Sequence, residues 1–159
     1  AAMVAALLEP GRKASFKHFS GISTDGASGI SIPAPFGEEE FQHPQLKFAI
    51  CYSGFRSPGA RYRAFYEEPA IQTPVLHVLG SLDALVDESR SRALIEACAG
   101  EPEKEGLVVW HPGGHFLPSQ RPYLDAAVRF IREQMESSDG SNAKGKEVEE
   151  DVNDMDLPF

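Results

Sequence analysis

The chain has 159 residues, of which 42% are hydrophobic and 25% are charged, so it is long enough for one domain with a hydrophobic core. Its formal net charge of −9 gives no electrostatic support for binding nucleic acid or an anionic membrane surface. No stretch approaches the roughly 20 apolar residues that span a bilayer.

The two cysteines indicate the compartment. Cys51 and Cys98 lie in apolar runs, and we expect both to be reduced core residues of a cytoplasmic protein, with the nucleus as an alternative location. A disulfide between them is a less favoured interpretation.

The first 44 residues divide into a helix and a loop. Residues 1–9 predict a helix that ends at Pro10-Gly11. Because this helix begins without a capping residue and the chain begins without a methionine, we expect further sequence upstream; a processed terminus is the alternative. Residues 12–44 are rich in glycine, proline and serine and have no sustained period, so they predict a long loop of a functional or flexible kind.

Three short apolar runs predict buried strands. They cover residues 46–52, 74–79 and 107–110, and each is bounded by glycine or proline. Helical spacing of apolar residues follows at 89–99 and from Pro122 to Met135. This alternation predicts the α/β class, with a parallel sheet flanked by helices.

The domain is expected to occupy residues 1–136. Between residues 133 and 156 there are nine acidic residues and two basic ones, with little to bury. Residues 137–159 therefore predict a disordered acidic tail.

Two polar residues follow neighbouring predicted strands, at the edge where α/β proteins collect ligand-handling groups. Asp83 lies three residues beyond the second apolar run, and His115 lies five beyond the third. Neighbouring strands are about 4.8 Å apart, so a carboxylate from one can meet an imidazole from the next. Such an Asp fixes the His tautomer, and the His can then deprotonate a hydroxyl nucleophile. Taken singly, the Asp is common in turns and the His is often a surface residue.

A zinc site is a competing interpretation of the histidines. His111 and His115 are four apart, a spacing that makes a zinc pair only on a helix. Pro112, Gly113 and Gly114 disfavour a helix there, and His77 lies within a predicted strand as a core residue. We therefore expect neither a metal nor a cofactor.

Four apolar residues flank the proposed pair and are candidates to line an acyl pocket; ordinary core packing is an equal alternative. They are Leu85, Val86, Phe116 and Leu117.

The segments around the pair resemble the acid and base motifs of the FSH family of serine hydrolases, α/β-hydrolases of fungi and animals related to the ovarian-cancer-associated hydrolase. Residues 80–86 read Gly-Ser-Leu-Asp-Ala-Leu-Val, and residues 111–118 read His-Pro-Gly-Gly-His-Phe-Leu-Pro. Residues 48–55 resemble the family's strand after the nucleophile helix. The resemblance runs from residue 1 to about residue 135, with a 12–44 loop longer than expected.

The resemblance implies the C-terminal part of an α/β-hydrolase fold. It also implies an esterase or thioesterase that acts on a small-molecule acyl ester or thioester; several members release polyketide acyl chains. In this chain Asp83 would be the triad acid and His115 the general base.

The chain departs from the family because it has no nucleophile motif. The family's serine sits in a Gly-x-Ser-x-Gly turn between a strand and a helix, and no such string occurs in the 159 residues. The strings at residues 21–25 and 29–33 lack the second glycine, and Ser53 lacks the preceding one.

We therefore expect the chain to begin just after this turn, with the first strands, the oxyanion donors and the serine upstream. Alone it is expected to be inactive and to leave an unpaired strand edge at residues 46–52. The alternative is a truncated or degenerate hydrolase that acts as a binding or scaffold piece. The acyl group, the leaving group and the oligomeric state are left open.

Overall fold

The structure, a computed structural model, describes residues 1–21 and 28–140. Its elements in chain order are α1 (Ala2–Leu7), α2 (Arg12–Phe19), β1 (Ala49–Tyr52), a 3₁₀ helix (Ala60–Phe65), β2 (Val75–Gly80), α3 (Glu88–Glu96), β3 (Val108–His111) and α4 (Arg121–Gly140). The first of the two Gly-x-Ser strings extends into residues 22–27, which lie outside the described residues.

The three strands form one parallel sheet in the order β1-β2-β3. Strand β2 is central and buried along its whole length, which explains its continuous apolar pattern. In the register with β3, Gly80 lies opposite His111. The predicted parallel sheet flanked by helices is therefore confirmed.

Alternate residues of β2 face two separate clusters. Val75 packs with α1, α2 and the 3₁₀ helix, whereas Leu76 and Val78 pack with Phe130 of α4. His77 is fully buried, and this burial lowers its pKa to about 4, so the ring is a neutral core residue, as predicted.

Both cysteines are buried and free, which confirms the prediction of reduced core residues. The Sγ atom of Cys98 lies 3.6 Å from Nε2 of His77, and burial raises the pKa of Cys98 to about 12. Thiols held in the neutral form are poor nucleophiles.

The predicted loop at 12–44 contains a helix at its start. Residues 12–19 hold no glycine or proline, and Arg12 and Phe16, one turn apart, both face the interior. The many glycines and prolines later in the segment made the whole of 12–44 look like a loop and hid the helical spacing of its first eight residues. The described residues from 28 to 48 form neither a helix nor a strand.

A buried ion pair joins α1 and α2 to the entrance of β2. Arg12 Nη2 donates to Glu9 Oε2 at 2.7 Å, and both side chains are almost fully buried. Glu9 Oε1 accepts the amides of Gln72 and Thr73 at 2.8 and 2.7 Å. The guanidinium also donates to four backbone carbonyls, those of Ala6, Ala64, Pro69 and Ala70. Every polar group of the pair is thereby occupied, as a buried charge requires.

Helix α4 runs to Gly140, beyond the predicted domain boundary at residue 136. The rest of the predicted acidic tail, residues 141–159, lies outside the described residues. Within the described part of the chain, no helix combines the length and the apolar character that crossing a bilayer requires.

We expect Glu9→Gln to lower the free energy of unfolding by about 3–5 kcal/mol, because it leaves the Arg12 cation buried without its anion. Urea denaturation followed by circular dichroism measures this loss. Glu88→Gln is the control: it breaks an exposed pair with Arg92 and is expected to cost less than about 1 kcal/mol. Equal losses in the two variants would contradict the assigned role of the buried pair.

Candidate active site

The turns that follow β2 and β3 are joined through their backbones. The amide of Ser81 donates to the His111 carbonyl at 2.9 Å, and the amide of Leu82 donates to the Gly113 carbonyl at 3.0 Å. A Cβ atom at Gly80 would overlap the carbonyl oxygens of Gly113 and Gly114. Only glycine allows this approach without a backbone shift.

The first of these turns holds the carboxylate of Asp83. Oδ1 accepts the backbone amides of Leu85 and Val86, each at 2.9 Å. Asp and Asn commonly bond to amides two and three residues on in this way. The carboxyl group is thus oriented by its own loop before any other residue reaches it.

Asp83 and His115 form the hydrogen-bonded pair that the sequence predicts. The distance from His115 Nδ1 to Asp83 Oδ2 is 2.9 Å. Because an ionised carboxylate only accepts, the proton of the neutral imidazole is placed on Nδ1 and its Nε2 is left as an acceptor. The Asp83 side chain is 6% exposed and that of His115 is 41% exposed, so the acid is covered while the imidazole remains accessible.

The surroundings keep Asp83 ionised. Burial alone would raise its pKa, but the amides of Val86 and Leu85, followed by the side chains of His115 and Ser53, lower it to about 2. The carboxylate therefore remains an acceptor throughout the physiological pH range.

The four apolar candidates lie in two kinds of environment. Leu85, Phe116 and Leu117 are exposed beside the pair, whereas Val86 is buried. Sequence reasoning considered only the side chains of Leu85 and Val86 and did not predict that their amides bind Asp83. An Asp directly after a strand is the signal that could have indicated such a turn, because Asp side chains often bond to the backbone two residues on.

His111 stabilises the turn that follows β3. Its ring is buried, its Nδ1 accepts the Gly113 amide at 3.2 Å, and it packs between Phe116 and Tyr123. Over the described ranges, no three His, Cys, Asp or Glu side chains cluster closely enough to hold a metal ion.

Ser53 is a further residue of the site, which the sequence reasoning weighed only as a nucleophile. It follows β1, is buried, and its hydroxyl contributes to the low pKa of Asp83. No local pattern indicates this role, because the two residues lie 30 positions apart in the sequence.

Comparisons with known proteins point in one direction. The family model described as "Serine hydrolase (FSH1)" matches residues 1–127. The chain is 36% identical over 119 residues to Esterase OVCA2 of Danio rerio, covering 70% of this chain and 50% of the relative. It is 39% identical over 113 residues to Esterase AGAP003155 of Anopheles gambiae, and the match covers 71% of this chain and 40% of the relative.

A yeast relative shows the same partial coverage. Family of serine hydrolases 3 of Saccharomyces cerevisiae is 40% identical over 91 residues, which cover 57% of this chain and 33% of that protein. The matched region thus spans only a third to a half of the length of these three relatives. The comparison with solved structures gave no match.

We expect Gly80→Ala to break the pair between Asp83 and His115, because the added methyl group forces the two turns apart. The downfield Nδ1–H proton resonance of His115 reports the pair and should disappear. Gly21→Ala is the control, since a Cβ there meets no atom within 4 Å. A Gly80→Ala variant that retains the resonance would refute the steric argument.

The stabilising effect of ionised Asp83 should depend on pH. Because its folded pKa of about 2 lies below the unfolded value of 3.8, the effect is fully present above about pH 4 and is lost as the pH falls towards 2. Unfolding midpoints between pH 2 and 6 should therefore fall less steeply with acid in Asp83→Asn than in the unmodified chain. Asp125→Asn, at an exposed carboxylate, is the control and should keep the original slope.

Proposed function

Because the chain belongs to the serine hydrolase (FSH1) family, we propose that it supplies the acid and the base of a Ser-His-Asp triad that hydrolyses an acyl ester or thioester. The observation that carries the proposal is the 2.9 Å contact between His115 Nδ1 and Asp83 Oδ2. That contact supplies the part of the triad that activates a hydroxyl group.

The chemical roles follow from the tautomer. Asp83 accepts the Nδ1–H of His115, so Nε2 accepts the proton of the serine hydroxyl as its oxygen attacks the acyl carbonyl carbon. His115 then donates that proton to the departing alcohol or thiol. In the second half of the reaction it deprotonates water, whose oxygen attacks the carbonyl carbon of the acyl-serine. The bond to the serine oxygen then breaks, His115 returns the proton to that oxygen, and the carboxylic acid leaves. Asp83 stays ionised throughout, in keeping with its low pKa.

The serine, in this proposal, comes from a segment outside these 159 residues. Its expected Gly-x-Ser-x-Gly turn is absent from the sequence, and the relatives are at least about twice as long as the region that matches. Within the described sheet, β1 pairs with β2 alone, so its other edge is available to a further strand. A strand added there would end on the same side of the sheet as Asp83 and His115 if it ran parallel to β1.

Exposed apolar surface supports the same proposal. Tyr52 at the end of β1 and Phe55 just beyond it are 39% and 40% exposed. On α4, Leu124, Val128 and Ile131 form an exposed stripe at helical spacing. Exposed apolar side chains grouped on one face of a helix often mark a contact site, and an additional part of the fold would cover these.

The acyl group is proposed to lie against the apolar side chains beside His115. Leu85, Phe116 and Leu117 are exposed there, and Phe116 also lines a cavity of about 240 Å³ with His111 and Tyr123. Val86 lies beneath them as support. This surface favours an aliphatic or aromatic acyl chain over a charged one.

Labelling with a fluorophosphonate probe tests the proposal in the longest in-frame polypeptide that carries this chain. We expect covalent labelling of a serine, slowed roughly 10⁴-fold by Asp83→Asn and still more by His115→Ala, because each removes activation of the nucleophile. His18→Ala is the matched control: this exposed histidine pairs with Glu68 and should leave labelling unchanged.

Two results would contradict the proposal. A folded polypeptide with no labelled serine would favour the non-catalytic binding or scaffold piece. Labelling that persists in His115→Ala would place the reactive serine in a different site.

A further inference from the structure

Ser53 has an uncommon backbone conformation at the edge of the active site. Its amide donates to the Val78 carbonyl at 2.9 Å, which continues the pairing of β1 with β2 by one residue. Its φ angle is 48°, in the left-handed region that residues other than glycine rarely adopt. Such residues often lie at functional sites, where the surrounding structure holds them in place.

The segment that follows Ser53 packs against the first turn of α3. The carbonyl of Gly54 accepts the Ser91 hydroxyl at 2.9 Å, and the amide of Arg56 donates to the Arg90 carbonyl at 3.1 Å. These contacts fix the end of β1 against the start of α3. They therefore fix the course of the chain directly after Ser53.

The Ser53 hydroxyl is buried, and it makes no hydrogen bond of normal length and angle in this structure. A buried hydroxyl of this kind is rare in folded proteins and calls for an explanation. Ser53 comes one residue after Tyr52, which pairs with Val78 of β2, so it lies at the end of the sheet where the turn that carries Asp83 begins. Its side chain is among the groups that lower the pKa of Asp83.

We propose that Ser53 is a positioning residue whose hydroxyl donates a hydrogen bond to the Asp83 carboxylate and thereby orients the acid for His115. The carboxylate has room for this donor: Oδ1 accepts two amides and Oδ2 accepts His115, while two carboxylate oxygens offer about four acceptor sites. The hydroxyl transfers no proton, and its catalytic consequence rests on the proposed function.

The pKa of Asp83, measured by carbon-13 NMR of its carboxyl group in the full chain, tests this role. We expect Ser53→Ala to raise the value from about 2 by about 0.5 to 1, because a donor to the charged form is lost. Ser53→Gly should produce the same rise, although it also relieves the positive φ. Asp83→Asn identifies the resonance, and Ser81→Ala, at an exposed serine in the same turn, should leave the pKa unchanged.

An unchanged pKa in both Ser53 variants would overturn the proposal. So would loss of the fold in both, since Ser53 would then be required for folding rather than for Asp83. If only the Ser53→Ala variant unfolds, the pKa of Asp83 in Ser53→Gly decides: a raised pKa supports the proposal and an unchanged one overturns it.

The same measurement separates this proposal from the proposed function. The pKa of Asp83 does not depend on a serine nucleophile, so failed fluorophosphonate labelling would leave the result intact. In an active polypeptide, Ser53→Ala should lower kcat about 3- to 10-fold with KM unchanged, because the hydroxyl acts through Asp83 rather than on the substrate.

Discussion

The close backbone contact between the turns after β2 and β3 is the constraint on which the site depends. Gly80 lies against the carbonyls of Gly113 and Gly114, and two amides of its turn donate to the opposite turn. This contact sets the separation between the Asp83 and His115 backbones to a value that their side chains can bridge. Neither Gly80 nor Gly113 has a positive φ angle. Glycine is therefore needed at these positions for its lack of a side chain rather than for its backbone freedom.

The entrance and the exit of β2 are held by different means. At the entrance, Glu9 accepts the amides of Gln72 and Thr73 while Arg12 neutralises its charge. At the exit, Gly80 lets the end of the strand lie directly against the backbone of the turn after β3. Because β2 is buried along its length, a shift of register would place its side chains against the wrong cluster. The buried ion pair therefore contributes indirectly to the geometry of the site.

Glu9 and Asp83 illustrate one electrostatic rule in two settings. Each is a carboxylate with little solvent contact, and several hydrogen-bond donors converge on each. For Glu9 the donors include the guanidinium of Arg12, which balances the charge of a carboxylate whose role is to hold the fold together. On Asp83 the amides of its own loop occupy Oδ1, which leaves Oδ2 to accept the imidazole of His115.

The amino-acid sequence by itself determined the strands and the longer helices, because apolar periodicity and glycine or proline boundaries are local signals. It also indicated Asp83 and His115, since both follow predicted strands. The tertiary structure alone decided that residues 12–19 form a helix, where Arg12 is buried against carbonyls from distant segments. It alone placed Ser53 at the same end of the sheet as the turn of Asp83, because the end of β1 and the turn after β2 meet only through parallel pairing of the strands. Contacts of this kind arise from the register of the sheet, which no short stretch of sequence encodes.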